Sequence, residues 1–214
     1  MIRFKAALLD LDGTLLDTEG QYTWFWGGIL EEYIPEKAHL LPQMKGRTLR
    51  TIFDEMFPEL RVAQRDIERR LVEFEMNMSF PFIPGAEEFV KDIKAHGVKC
   101  AVVTSSSEGK MANVLGKRGE FMSLFDEILT GNMFKASKPD PHCYNLGAQV
   151  LGFPKHECVV FEDAFTGLAA GMASGIYTVG LATENPRELI ESRCNHVFDS
   201  FEGVSWESVE ALLH

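Results

Sequence analysis

At 214 residues the chain is long enough for one α/β domain of moderate size, or for a core with a small insertion. Its 45% hydrophobic and 25% charged residues are ordinary for a globular protein, and a net charge of −11 argues against nucleic acid as the main partner. The four cysteines, Cys100, Cys143, Cys158 and Cys194, form no CxxC pair and read as reduced, mostly core side chains. No apolar run reaches membrane-spanning length, and the N-terminus leads directly into a strand. The expectation is a cytoplasmic protein, a monomer or weak oligomer, with a small-molecule partner and no membrane partner.

The first strand is the apolar run from Ala6 that ends in Asp10-Leu11-Asp12-Gly13. A continuous apolar run reads as a strand buried on both faces, as in parallel sheets. Gly13 permits a sharp turn. Two carboxylates one residue apart repel unless a cation joins them. The stretch from Asp17 to Phe80 shows helical patterning without a convincing strand. Helices are expected near Tyr22–Tyr33, Thr48–Phe57 and Ala63–Met78, punctuated by Pro35, Pro42 and Pro58. By position this segment is a lid over the C-terminal end of the first strand. Trp24, Phe25 and Trp26 read as its packing.

From Gly85 a βα rhythm resumes. Helices are expected over Ala86–His96, Glu108–Lys117, His142–Leu151, Ala164–Ser174, Pro186–Ser192 and Ser205–Leu213. Strands are expected over Lys99–Thr104, Glu127–Thr130, Cys158–Phe161, Tyr177–Leu181 and His196–Phe198. Strands alternating with helices imply an α/β, doubly wound parallel sheet. The core is expected to comprise residues 1–16 and 82–214, and a small inserted α-helical cap residues 17–81. In such a sheet the C-terminal strand ends converge on one edge, where ligands bind. That edge would collect Asp10 and Asp12, Thr104-Ser105-Ser106, the loop residue Lys138, and Glu162-Asp163. These residue types suit phosphoryl transfer. Carboxylates from the first and fourth strands can share a Mg²⁺. Thr104 and Ser105 would open a helix and cradle phosphate. Lys138 would supply positive charge, and an aspartate can act as nucleophile.

Four stretches carry a resemblance to a known family. They are Asp10-Leu11-Asp12-Gly13-Thr14-Leu15-Leu16-Asp17-Thr18-Glu19, Val103-Thr104-Ser105-Ser106, Ser137-Lys138-Pro139-Asp140-Pro141 and Phe161-Glu162-Asp163-Ala164-Phe165-Thr166-Gly167. In this order, with a helical insertion after the first, the chain resembles the haloacid dehalogenase-like (HAD) hydrolases, and within them the helical-cap branch of sugar-phosphate phosphatases and β-phosphoglucomutases. The resemblance implies a Rossmann-like core and Mg²⁺. It implies Asp10 as nucleophile, and Asp12 as general acid/base and metal ligand through its backbone carbonyl. Asp163 would be the carboxylate ligand, with Glu162 beside it as ligand or supporting partner. Thr104, Ser105 and Lys138 would hold the phosphoryl group.

The substrate side is written less clearly. Lys45-Gly46-Arg47-Thr48 precedes a helix of the insertion and reads either as a solvated turn or as a specificity loop. Arg47 and Arg50 are candidates for a bidentate grip on a second anionic group. Glu19, at the start of the insertion, joins them as a candidate contact. The reaction expected is Mg²⁺-dependent hydrolysis of a small phosphorylated metabolite, a sugar or polyol phosphate, through an aspartyl-phosphate. The alternative is a β-phosphoglucomutase. The mutases carry a histidine in the segment after the first motif, where this chain has Tyr22, and that tips the reading towards phosphatase. Dehalogenation would leave Asp12 and the Glu162-Asp163 pair surplus. A non-catalytic phosphometabolite-binding protein would be expected to have lost one of these groups.

Overall fold

A computed structural model describes residues 4–213; the expected core bounds at residues 1 and 214 lie outside them. Six parallel strands form one sheet: β1 (Ala6–Leu9), β2 (Lys99–Val103), β3 (Glu127–Leu129), β4 (Cys158–Glu162), β5 (Tyr177–Leu181) and β6 (His196–Phe198). Their spatial order is β3-β2-β1-β4-β5-β6, so β1 lies at the centre. Each strand lies within one residue of its sequence-based range.

Ten α-helices surround and extend the sheet. α1 (Glu19–Tyr33), α2 (Leu49–Met56) and α3 (Arg61–Asn77) fall between β1 and β2. They are followed by α4 (Ala86–Ala95), α5 (Glu108–Lys117), α6 (Phe121–Leu124), α7 (His142–Leu151), α8 (Phe165–Ser174), α9 (Arg187–Ile190) and α10 (Trp206–Leu212). The 3₁₀ stretch Pro35–Gln43 was not expected. Pro35 at its start and Pro42 inside it lack the N–H that a continuing α-helix needs.

The period-two alternation of β1 divides the core. Ala7 and Leu9 face a cluster with Phe89 and Val90 of α4, Val114 of α5, Phe161 and Phe201. Ala6 and Leu8 face Tyr144 of α7 and Ala170 of α8. Helices therefore cover both faces, which is why every residue of β1 is buried. A separate cluster joins α1, α2 and α3 through Phe25, Ile29, Leu30, Ile52, Phe57, Ile67 and Leu71. This helical segment leaves and rejoins the sheet at one place: Leu16 bridges Phe82, and Asp17 N–H donates to Pro81 O at 2.9 Å.

Register fixes the level of the strand ends. Leu9 is opposite both Val102 and Phe161. The next residues of the three central strands, Asp10, Val103-Thr104 and Glu162-Asp163, therefore emerge side by side. Phe161 is fully buried, with its ring centre 5.2 Å from Phe89 and 5.7 Å from Phe201. Truncating such a ring removes its burial and leaves a cavity. Phe161→Ala should lower the free energy of unfolding by about 3–5 kcal/mol, measured by urea denaturation; a loss below about 1 kcal/mol would show that this face of β4 is not tightly packed.

Candidate active site

The strand that carries the site residues stops at Leu9, and Gly13 turns the chain at φ +80°. A Cβ on Gly13 would lie 2.3 Å from Asp163 Oδ2, so only glycine allows the loop after β1 to lie against the loop after β4. Thr14 Oγ1 donates to Asp163 Oδ1 at 2.7 Å. The loop after β5 braces the pair: Thr183 Oγ1 donates to Gly13 O at 2.6 Å, and Asn185 Nδ2 to Asp163 O at 3.0 Å.

Asp10 and Asp12 lie in different electrostatic settings. Lys138 is fully buried. Its ammonium donates to Asp10 Oδ1 at 2.5 Å, to Glu162 Oε1 at 2.6 Å and to Val103 O at 3.2 Å. Burial raises the Asp10 carboxyl to about 8, against the pull of Lys138. Burial also works against the Lys138 ammonium, but Asp10 and Glu162 outweigh it and hold that group above the usual lysine value. Asp12 has its own set of donors. Thr18 Oγ1 and Lys110 Nζ donate to Oδ1, and Ser106 Oγ to Oδ2 at 2.8 Å. Burial disfavours ionisation here too, yet Lys110 and the two hydroxyls prevail and keep the Asp12 carboxyl below the usual aspartate value.

Glu162 uses both oxygens within the protein. Oε1 accepts from Lys138 and from Tyr144 Oη at 2.8 Å, and Oε2 accepts the N–H groups of Asp163 and Ala164, each at 3.0 Å. A Cβ on Gly167 would overlap Glu162 Oε1 at 1.7 Å, so α8 packs directly on this carboxylate. Asp163 differs: its Oδ2 is buried without a hydrogen-bond partner. Burial first, and then Glu162 and Asp10, push its carboxyl well above the aspartate range.

Asp10, Glu162 and Asp163 each offer a carboxylate oxygen, all within 4.8 Å of one another. Ionised together, with Lys138 as their one paired ammonium, the three carboxylates would carry two negative charges in excess, which is why burial favours protons on Asp10 and Asp163. A divalent cation would cancel that excess and satisfy Asp163 Oδ2, so the donor set fits one.

A cleft opens beside these groups, and its lining includes Asp10, Asp12, Thr104-Ser105-Ser106, Glu19, Lys45 and Arg47. Several expectations change here. Thr104 N–H is bonded to Leu129 O at 2.9 Å, and Thr104 Oγ1 accepts from Ser106 N–H at 3.0 Å. The helix spans Glu108–Lys117, as expected, but Ser107 caps it by accepting from Lys110 N–H at 3.2 Å, so Thr104 and Ser105 do not open it. Thr104-Ser105 is thus a loop ahead of α5 and not its first turn. Ser105 Oγ donates to Gly46 O at 2.7 Å. Lys138 meets Asp10 and Glu162 directly.

Among the substrate candidates, Lys45 pairs with Glu19 at 3.2 Å and Glu184 at 3.0 Å. Gly46 lies against α8, and Arg47 pairs with Glu55 while its buried Nε has no partner. Arg50 is placed otherwise. Its side chain is 92% exposed, pairs with Asp54 one turn along α2, and does not line the cleft. Thr48 caps α2, which points Arg50 outward. Sequence reasoning missed Lys110 and Glu75, which flank Tyr22 behind Asp12. The available signal was a charged residue on a buried helical stripe: Glu75 continues Ala63, Ile67 and Leu71 at spacing four.

These features define a hydrolytic site of carboxylates and ammonium groups at the C-terminal edge of a parallel sheet. The model of the haloacid dehalogenase-like hydrolases matches residues 7–181, and the chain belongs to that family. It is 27% identical over 194 residues to validoxylamine A 7'-phosphate phosphatase of Streptomyces hygroscopicus subsp. limoneus, covering 87% of this chain and 90% of that one. Hexitol phosphatase A of Escherichia coli is 28% identical over 185 residues, with 84% of each chain covered. A candidate β-phosphoglucomutase of Bacteroides vulgatus superposes with a TM-score of 0.81 at 27% identity, covering 99% of this chain and 91% of that one.

Glu19 offers a test of the cleft's electrostatics. Burial raises its carboxyl to about 7, despite Lys45, from an ordinary value of 4.5. A group bound more tightly to its proton when folded contributes stability at low pH, and this contribution is lost as pH rises from about 4.5 through 7. Glu19→Gln removes the titration. In metal-free protein, the stability of the variant relative to wild type should rise by about 1–3 kcal/mol between pH 5 and pH 8. An unchanged difference would show that Glu19 is fully ionised throughout.

Proposed function

We propose that the protein is a Mg²⁺-dependent phosphatase of a small phosphorylated metabolite, a sugar or polyol phosphate. The observation that carries this reading is that Asp10 and Asp12 each have a separate buried lysine. One carboxylate can attack while the other moves protons. Two phosphatases among the similar proteins support the reaction class.

In the first step an Asp10 oxygen attacks phosphorus and the ester P–O bond breaks. Asp12, having taken up a proton, gives it to the departing oxygen. In the second step Asp12 takes a proton from water as that water attacks phosphorus. The Asp10–phosphorus bond breaks, and inorganic phosphate leaves. Lys138 holds Asp10 in place and balances its charge in both steps. Glu162 orients Lys138 and the turn at Asp163, and we assign it that supporting role. Asp163, Asp10 and the Asp12 carbonyl would hold Mg²⁺, which would stabilise the charge on the transferring oxygens. The hydroxyls of Thr104 and Ser105, which line the same cleft, would hold the phosphoryl oxygens.

We assign residues 17–81 as a cap over this edge. Its Lys45-Gly46-Arg47 loop rests on the core through Ser105–Gly46 and through Thr166 Oγ1 to Lys45 O at 3.0 Å. Closure here would exclude water from the first step. A β-phosphoglucomutase reading draws on the Bacteroides vulgatus structure. Against it, Tyr22 stands at the position of the mutase histidine and donates to Glu75 at 2.8 Å.

With Mg²⁺ and a panel of hexose, pentose and polyol phosphates, wild-type protein should release inorganic phosphate from one or a few members. Asp10→Asn should reduce kcat at least about 10³-fold, and EDTA should abolish turnover. Full activity in Asp10→Asn would refute the nucleophile. Formation of glucose 6-phosphate from β-glucose 1-phosphate without phosphate release would establish the mutase instead.

A further inference from the structure

The steps above give Lys110 no task, yet its side chain is wholly buried beside the reacting groups. Lys110 sits in the first turn of α5, on the helix face that continues to Val114 in the core. Its ammonium pairs with Asp12 Oδ1 and lies 3.1 Å from Ser106 Oγ. Ser106 Oγ in turn donates to Asp12 Oδ2 at 2.8 Å. The three groups close a ring that takes in both oxygens of one carboxylate. Such a ring fixes the plane of the carboxylate, which a single ion pair does not.

The opposite side of the ammonium faces the helical segment. It lies 4.4 Å from the centre of the Tyr22 ring on α1. Tyr22 Oη is bonded to Glu75 of α3, and Lys110 is among the charges that pull the Glu75 carboxyl down against its burial. Taking an ammonium out of water costs several kcal/mol, and an apolar side chain of similar length would avoid that cost. The position holds a lysine that touches the carboxylate on one side and, on the other, the Tyr22 ring of α1, which is bonded to Glu75 of α3.

We propose that Lys110 is a positioning residue for Asp12: with Ser106 it sets the plane of the carboxylate that exchanges protons with the leaving oxygen and water, and through Tyr22 it ties that plane to the seating of α1 and α3. This rests on the phosphatase reading. Lys110 does not line the cleft, so its effect on the reaction passes through Asp12.

The test is a double-mutant cycle read in kcat and KM on the best phosphate ester of the panel. Asp12→Asn alone should lower kcat by about 10²–10⁴-fold. Lys110→Met should lower kcat by about 10–100-fold and leave KM within about threefold. In the double variant the losses should not multiply, and kcat should stay within about threefold of Asp12→Asn. Ser106→Ala, which opens the ring and keeps the lysine, should show a smaller kcat loss that also vanishes in the Asp12→Asn background. This second cycle decides the matter if thermal unfolding shows Lys110→Met to be unfolded. Multiplying losses in a folded variant, or a raised KM with kcat unchanged, would overturn the assignment. Wild-type protein that releases no phosphate from any ester is a different failure: it contradicts the phosphatase reading, and this role falls with it.

Discussion

The ion pair that joins Lys138 to Asp10 and Glu162 is the constraint on which the rest of the site depends. Three carboxylates at the ends of β1 and β4 are buried within 4.8 Å of one another. Unpaired, they would take up protons and lose their chemistry. Lys138 reaches them from the loop after β3, crosses the end of β2 at Val103 O, and lies 5.1 Å from the Tyr144 ring centre on α7. The lysine thus links several elements at the sheet edge. The sheet supplies the level, since Leu9 is in register with Val102 and Phe161, and the lysine supplies the charge that lets those ends carry acids.

One cation is not enough, and the structure divides the remaining charge in two ways. Asp12 is balanced by Lys110, so its carboxylate stands apart from the Asp10 cluster electrostatically though only two residues away in sequence. Asp163 is not balanced by any side chain, and its free oxygen faces the turn that Gly13 allows. A site with one balanced carboxylate, one lysine-held carboxylate and one unsatisfied carboxylate has three distinct tasks available. We propose proton exchange, nucleophilic attack and metal binding as these tasks. The loop Lys45–Thr48 of the helical segment meets the core hydroxyls of Ser105, Thr166 and Ser137 through its own backbone, while the Lys45 and Arg47 side chains pair with glutamates.

Much of this was legible in the sequence, for physical reasons. Strands buried on two faces must be continuous apolar runs, so β1, β2 and β4 stood out, and the residues that end them are the site. The segment between Asp17 and Phe80 was legible as helical because its apolar residues recur at three and four. The positions of individual side chains were less so. The span of α5 was legible, but Ser107 rather than Thr104 or Ser105 opens it, and four successive hydroxyl residues do not reveal which will make the capping bond. Arg50 looked like Arg47 in sequence, but Arg47 lies in the loop ahead of α2 and lines the cleft, whereas Arg50 lies on α2 and is exposed to solvent. Thr18 stands where an N-cap belongs, yet its hydroxyl is spent on Asp12. Lys110 and Glu75 break the apolar stripes of α5 and α3, and their partners lie in distant parts of the chain. A break in a stripe can be seen in the sequence; the group that answers it cannot.

The central claim is that Asp10 carries the phosphoryl group. The most direct measurement is acid quench of protein turning over a substrate phosphate with Mg²⁺, followed by borohydride reduction and peptide mass spectrometry. Reduction of an acyl phosphate converts aspartate to homoserine. The account predicts homoserine at position 10 and at no other aspartate, appearing only when substrate is present. Turnover with Asp10 unmodified, or with the modification at Asp12 or Asp163, would contradict it.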